Sequence, residues 1–334
     1  MVDLIKNLAA LDGTSGDERA ICEYIVSQIK PYCEIKVDAL GNIIAQRKGK
    51  KTPDKKIMLD AHMDEVGLII THITSEGFLR FKVLGGIEIS ALLFRAVKIN
   101  GKINGVISGK PIHLTAADEA KKLPEADRLY IDIGAKSGSD AEQYVTVGDR
   151  AVITGEFSLC GEKIMSKALD DRIGCAILIN LIKEYDEYDF TAVFSVQEEV
   201  GLRGAKTATY GVNPHSAIII ESTTAADIAG VPDDKKVCVL ARGAAVSFMD
   251  KGTVYDREYY NAAMNSGIPS QPKCAVTGGN NAGAVHLSRE GVRTISLSVP
   301  CRYIHTASSV ADTNDIDAVY SLAKYMIEYI ANDK

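Results

Sequence analysis

With 334 residues the chain is long for one hydrophobic core, so a large domain with a smaller companion is expected. A net charge of -6 excludes a general affinity for nucleic acid or anionic lipid, which would need a basic face, but it is compatible with a small basic pocket for an acidic substrate. The opening has no basic stretch followed by an apolar core, and no apolar run reaches the roughly 18 residues that span a bilayer. The seven cysteines are scattered, odd in number and free of any CxxC pair, so reduced thiols in a cytoplasmic protein are expected.

Leu4, Ile5, Leu8 and Leu11 have helical spacing, and Thr14 to Glu18 break the chain before a second amphipathic stripe, Arg19 to Ile29. Residues 34–37 and 42–46 read as short strands around the turn at Ala39-Leu40-Gly41, and residues 56–61 as a buried strand running directly into His62-Met63-Asp64-Glu65. From Val66 to Glu162 the texture changes to short alternating runs, LIITHI, FLRFKVL, AVKING, INGVISG, RLYIDIG, YVTVGD and RAVITGEF, punctuated by Gly. Such a run of short strands predicts a small β-barrel or sandwich, with partly helical character only near 116–126.

After Lys163 strands and helices alternate again. Helices are predicted at 171–185, 201–210, 255–266, 282–290 and 312–332, and strands at 191–196, 216–220, 273–276 and 292–299. The chain is therefore expected to form one α/β domain from residues 1–65 and 163–334, interrupted by a β-rich insertion at 66–162.

Four predicted strands finish in metal-binding residue types: LDAHMDE at His62 and Asp64, FSVQEEVG at Glu198 and Glu199, IIIESTTAAD at Glu221, and SLSVPCRYIHT at His305. SKALDDRIG adds Asp170 and Asp171 at the start of a helix. Ligands of open α/β sheets bind outside the carboxyl ends of the strands, so these residues are expected in one crevice. Two imidazoles (His62, His305) and three carboxylates (Asp170, Glu199, Glu221) make a mixed N/O set suited to zinc, cobalt or manganese. Five such ligands with a bridging carboxylate serve two metals roughly 3.5–4 Å apart, a pair that activates water and stabilises the oxyanion of acyl transfer. Glu198, beside a ligand without being one, is the natural general base, and Asp64 is placed to hold the His62 ring by a hydrogen bond.

His62-x-Asp64, Asp170-Asp171-Arg172, Glu198-Glu199-Val200-Gly201, Glu221 and Tyr303-Ile304-His305-Thr306 together resemble the co-catalytic aminopeptidases of metallopeptidase family forty-two, the tetrahedral and glutamyl aminopeptidases, often called "cellulase M". The resemblance covers essentially the whole chain. It implies an α/β/α sandwich with an inserted β-barrel that serves oligomerisation, and a homo-oligomer, by family habit a dodecamer built from dimers around a chamber for short or unfolded peptides. It also implies that His62 and Glu221 belong to one metal, Glu199 and His305 to the other, with Asp170 bridging, Glu198 as base and a cis bond between Asp170 and Asp171.

Three positions depart from the family pattern. Glu221 stands where Asp is more usual, which would suit a deacylase-like or carboxypeptidase-like variant. Asn281 replaces a common Asp in a glycine-rich turn expected to shape the substrate pocket, and Ala307 replaces a proline. Competing functions are a glycosidase, which needs two carboxylates and no metal, and a non-catalytic shell. Singly, each acidic pair reads as a solvated face or a helix cap, and each histidine as structural. His72, His113, His215 and His286 are left in that class, with the reservation that the loop carrying His113 could reach a neighbouring subunit's site.

Overall fold

A computed structural model describes residues 1–111, 113, 124–274, 276 and 278–333. Among them eleven strands join into one sheet. Its main path runs Glu34–Val37, Ile43–Arg47, Phe190–Ser195, Ile57–His62, Ser216–Thr224, Arg293–Arg302, Ser309–Asp312, Lys163–Ser166 and Ser158–Cys160. The four strands from Phe190–Ser195 to Arg293–Arg302 are parallel neighbours, so their carboxyl ends lie at one edge. Both faces of this parallel core are covered, which is why IMLDAH and FTAVFS are apolar almost throughout and buried at every position.

Alternation sends Leu59, Phe194, Ile218 and Leu297 to one face, where they pack on helices Val2–Ala10, Arg19–Ile29, Leu169–Glu184 and Thr313–Asn332. Met58, Val193, Ala217 and Ile219 point to the other, under helices Arg203–Val212 and Ala282–Val285. The closing helix buries Ile316, Val319, Ala323, Met326, Ile327 and Ile330 at helical spacing, and Asp312 caps it by accepting from Asn314 N at 2.8 Å.

Between the strands Ile57–His62 and Ser158–Cys160 of the sheet the chain builds a closed barrel in the order Gly67–Ile73, Leu79–Leu84, Tyr130–Asp132, Ile103–Ser108, Ala96–Ile99, Arg150–Ile153. Alternate residues such as Leu68, Ile70, Phe81, Val97, Ile107 and Ile131 fill it. The molecule is thus the expected α/β/α sandwich with a small barrel.

Several elements differ from the sequence expectation. Tyr144–Asp149 is a turn rather than a strand, because the Asp149 carboxylate accepts from Thr146 N at 2.8 Å and the chain folds back at Gly148. The strand expected at 273–276 lies earlier, at Ser270–Pro272, beside Ala244–Val246; beyond it Lys273 N bonds Val246 O while Cys274 N bonds Val237 O, two different segments. The helix expected through 290 stops at Val285, where the His286 ring engages the Ala282 carbonyl at 2.7 Å. Of the partly helical stretch, residues 116–123 lie outside the described residues, and Ala126–Arg128 is one 3-10 turn.

Candidate active site

His62 closes its strand, and its side chain shares a face with Met58 and Asp60. In the parallel register Asp60 neighbours Ile219, so two residues further along His62 faces Glu221. Glu221 sits inside its strand, which continues to Thr224 rather than ending at the acid. His62 Nε2 is 3.4 Å from Glu221 Oε1 and 3.3 Å from Asp170 Oδ1. The second half gathers at loops. His305, with φ of 61° in the turn after Arg293–Arg302, places Nε2 3.3 Å from Asp170 Oδ2 and 3.2 Å from Glu199 Oε1. Asp170 therefore stands between the two imidazoles, one oxygen toward each. The residues expected to converge do so.

Each ring is oriented through its other nitrogen. His62 Nδ1 lies 3.1 Å from the Asp64 carbonyl and 3.5 Å from Asp64 Oδ1, and His305 Nδ1 lies 2.9 Å from the Gly86 carbonyl. A backbone carbonyl only accepts, so each Nδ1 carries a proton and each Nε2, turned toward the acids, is the nitrogen a metal ion would take. Asp64 was expected on the strand of His62. It lies just beyond it, and its carboxylate accepts from Ser15 Oγ (2.6 Å), Glu198 N (2.9 Å) and Glu199 N (3.2 Å). One carboxylate thereby fixes the turn that carries both glutamates.

The Asp170 segment is held just as firmly. The Asp170-Asp171 bond is cis, as the resemblance implied, and both residues depart from helical geometry at the head of Leu169–Glu184. Lys167 before it and the fully buried Arg172 after it both reach Glu65, at 2.7 and 3.4 Å, and Glu65 also accepts from Gly13 N at 3.2 Å. Asp171, expected only to cap or brace, also comes within ligand reach: His62, Asp171 and Glu221 form one group able to hold a metal ion, and His62, Asp170 and Glu199 another.

The electrostatics describe a site crowded with acids. Burial pushes Glu198 well up, with Glu221, Glu199 and Asp170 adding to it against His62, and burial likewise raises Glu221 to about 7. Burial would lower His305, but Asp170 and Glu199 outweigh it and hold the ring up at about 11. Asp170 is pulled down by both imidazoles despite its burial. Glu199 Oε1 is buried with no hydrogen-bond donor, since His305 Nε2 is near but not aligned, and Asp171 Oδ2 is also without one. Orphaned carboxylate oxygens beside two imidazole Nε2 atoms fit divalent cations, which would take the place of the ring protons.

A cavity of about 320 Å³ opens on this cluster, lined by His62, Asp170, Glu198, Glu199, Glu221 and His305, and on its remaining walls by Thr224, Val237, Lys273 and Gly278 to Asn280. The Glu198 carboxylate has no hydrogen-bond partner among the described residues and faces this space. Asn281 does not line it. Its amide lies beneath, donating to Asp60 Oδ1 (2.5 Å) and Ser195 Oγ (2.8 Å), because the first turn of Ala282–Val285 points the side chain into the core. None of the other four histidines lines this cavity, and His113 is exposed.

The Gly86 carbonyl, Ser15 and Lys273 were not singled out from the sequence. Only the proximity of Glu65 and Lys167 to the motifs hinted at the buried ion pairs.

Comparison with known proteins agrees with this geometry. The family described as M42 glutamyl aminopeptidase matches residues 41–322. The lysyl aminopeptidase of Pyrococcus furiosus is 34% identical over 98% of this chain and 97% of its own length. Among solved structures, an aminopeptidase of the archaeon Desulfurococcus kamchatkensis superposes with a TM-score of 0.93 at 35% identity, covering 98% of this chain and 94% of that one. The TET1 peptidase of Pyrococcus horikoshii, which can assemble into a tetrahedron or a large octahedral shell, gives 0.85 at 33% identity over 97% of this chain and 98% of that one. With the whole fold and most of its length matched in this way, the chain belongs to the M42 glutamyl aminopeptidase family of peptide-bond hydrolases.

Proposed function

We propose that this chain is a metal-dependent aminopeptidase that removes N-terminal residues from short peptides. His62, Asp170, Glu199, Glu221 and His305 would hold two divalent cations, zinc before cobalt or manganese given the mixed N/O donors. The observation that carries this reading is the pair of imidazole Nε2 atoms converging on the two oxygens of Asp170, each ring fixed by a carbonyl at Nδ1. Bound there, such cations supply Lewis acidity, lowering the pKa of water and polarising the scissile carbonyl.

The protein's own part falls to Glu198. Its free carboxylate takes the proton of the attacking water and returns it to the departing amine, and burial raises its proton affinity toward that task. Asp64 is a positioning residue, holding the backbone of Glu198 and Glu199 and facing the His62 ring. Replacing Glu198 by Gln is expected to leave two metal ions per chain by elemental analysis while turnover of aminoacyl-p-nitroanilides falls about 10²–10⁴-fold. Full activity of that variant would overturn the assignment. Cellulose hydrolysis that survives EDTA would favour the glycosidase reading instead, and hydrolysis of N-acyl amino acids the deacylase.

Residues 1–65 and 163–334 would then form the catalytic domain and 66–162 the oligomerisation domain. The similar TET1 peptidase can assemble into a tetrahedron or a large octahedral shell, and the barrel region here exposes Phe94, Tyr144 and Val147, apolar surface of the kind that self-association covers. A dodecamer by light scattering and activity in the cytoplasmic fraction are the expected readouts.

A further inference from the structure

The family is described by a glutamyl preference and one relative by a lysyl preference, so neither name decides what this pocket accepts. The pocket itself holds a cation outside the metal cluster. Lys273 lines the cavity and is only 7% exposed. Its backbone is pinned on both sides, by its own N to Val246 O at 2.9 Å and by Cys274 N to Val237 O at 2.8 Å. Among the described residues no carboxylate lies within ion-pair distance of its ammonium and no hydrogen-bond acceptor reaches it.

The acids that share the surroundings of Cys238 with Lys273 are already engaged. Arg302 holds Asp227 through two contacts of 2.6 and 2.8 Å, and Asp315 accepts from Ala241 N and Gly243 N at 2.7 Å each. The acids that share the cavity, Asp170, Glu198, Glu199 and Glu221, belong to the proposed metal centre and its base. The rest of the lining is the imidazoles of His62 and His305, hydroxyls, glycines, an amide and apolar side chains. An ammonium on a mostly buried side chain, open to the cavity and without a counter-ion, is stabilised by a substrate that brings the anion and not by a neutral one.

We propose that Lys273 is a specificity-determining residue that receives a substrate carboxylate, so that the pocket selects peptides with an acidic group. This rests on the aminopeptidase reading of the same site. Two parts of a peptide offer that chemistry: the side chain of an N-terminal Glu or Asp, and the C-terminal carboxylate of a dipeptide. An aminoacyl-p-nitroanilide has no C-terminal carboxylate, which separates the two.

The test compares kcat/KM for glutamyl-, aspartyl- and leucyl-p-nitroanilide, and for Ala-Ala against its amide, in the zinc- or cobalt-loaded wild type, Lys273→Met and Lys273→Arg. The expected result is a glutamyl-to-leucyl ratio that drops about 10- to 100-fold in Lys273→Met, the worth of a charge-assisted hydrogen bond, and is restored in Lys273→Arg. A drop confined to Ala-Ala relative to its amide assigns the carboxylate to the C-terminus. Ratios unchanged in both comparisons, with the variant folded by its thermal midpoint, overturn the proposal while the aminopeptidase reading stands. A wild type that cleaves none of these substrates overturns the aminopeptidase reading.

Discussion

The two halves of the proposed metal site are built from different materials. His62 and Glu221 are adjacent positions in a parallel sheet, and their mutual placement follows from strand register and a core buried on both faces. Glu199 and His305 stand on turns, and the orientation of His305 depends on Gly86, in the bend that follows the barrel strand Leu79–Leu84. The His62 side chain is 2% exposed and that of His305 27%. One half is therefore part of the hydrophobic core, and the other is assembled at the contact between sandwich and barrel. Metal-binding strength and fold stability should be coupled in the first and separable in the second.

Substitution of the core half should have the largest effect. His62→Ala removes the partner of the buried acids Asp170 and Glu221, and breaking a buried charge cluster costs about 3–5 kcal/mol. Urea denaturation of the metal-free protein is expected to show that loss along with absent turnover; stability equal to wild type would contradict the distinction. His305→Ala should likewise abolish turnover and lower bound metal from two equivalents to one, but with a stability change under about 1 kcal/mol, since the side chain is partly solvated. Calorimetry and elemental analysis on the same sample decide it.

Gly85→Ala probes the contact itself with the smallest effect. Gly85 has φ of 88°, and a Cβ there would lie 2.7 Å from Val66 Cγ1 and 3.2 Å from Glu199 Cβ. About 1 kcal/mol of backbone strain and a displaced His305–Gly86 bond are expected. Affinity for the second metal should weaken about 10–100-fold with the first unaffected, as measured by chelator competition. Equal weakening of both sites would mean that the halves are not independent.

The same division explains what was legible in the sequence. Period-two alternation and buried runs identified the sheet, the barrel and the ligand-bearing segments, since those signals are local. YVTVGD misled because alternation is also local: the Asp149 side chain captured the Thr146 N–H and turned the chain, an interaction that hydrophobic pattern does not encode. The glycine-rich turn was expected to shape the pocket and Gly278 to Asn280 line it, while the start of the following helix aims Asn281 itself at Asp60. The roles of Gly86 and Lys273 depend on partners distant in the chain, and no spacing rule reaches them. A lysine among glycines and a cysteine reads as solvated until the neighbouring acids are seen to be taken.

The His305–Gly86 hydrogen bond joins residues 219 apart in the chain. The second imidazole is aimed only when the barrel and the last parallel strand are both in place. The pair of imidazoles is therefore a property of the whole chain, since neither the sandwich nor the barrel by itself contains both His305 and the carbonyl that orients it. Uptake of the second ion, followed by cobalt absorbance during refolding, would serve as a clock for the docking of barrel onto sandwich.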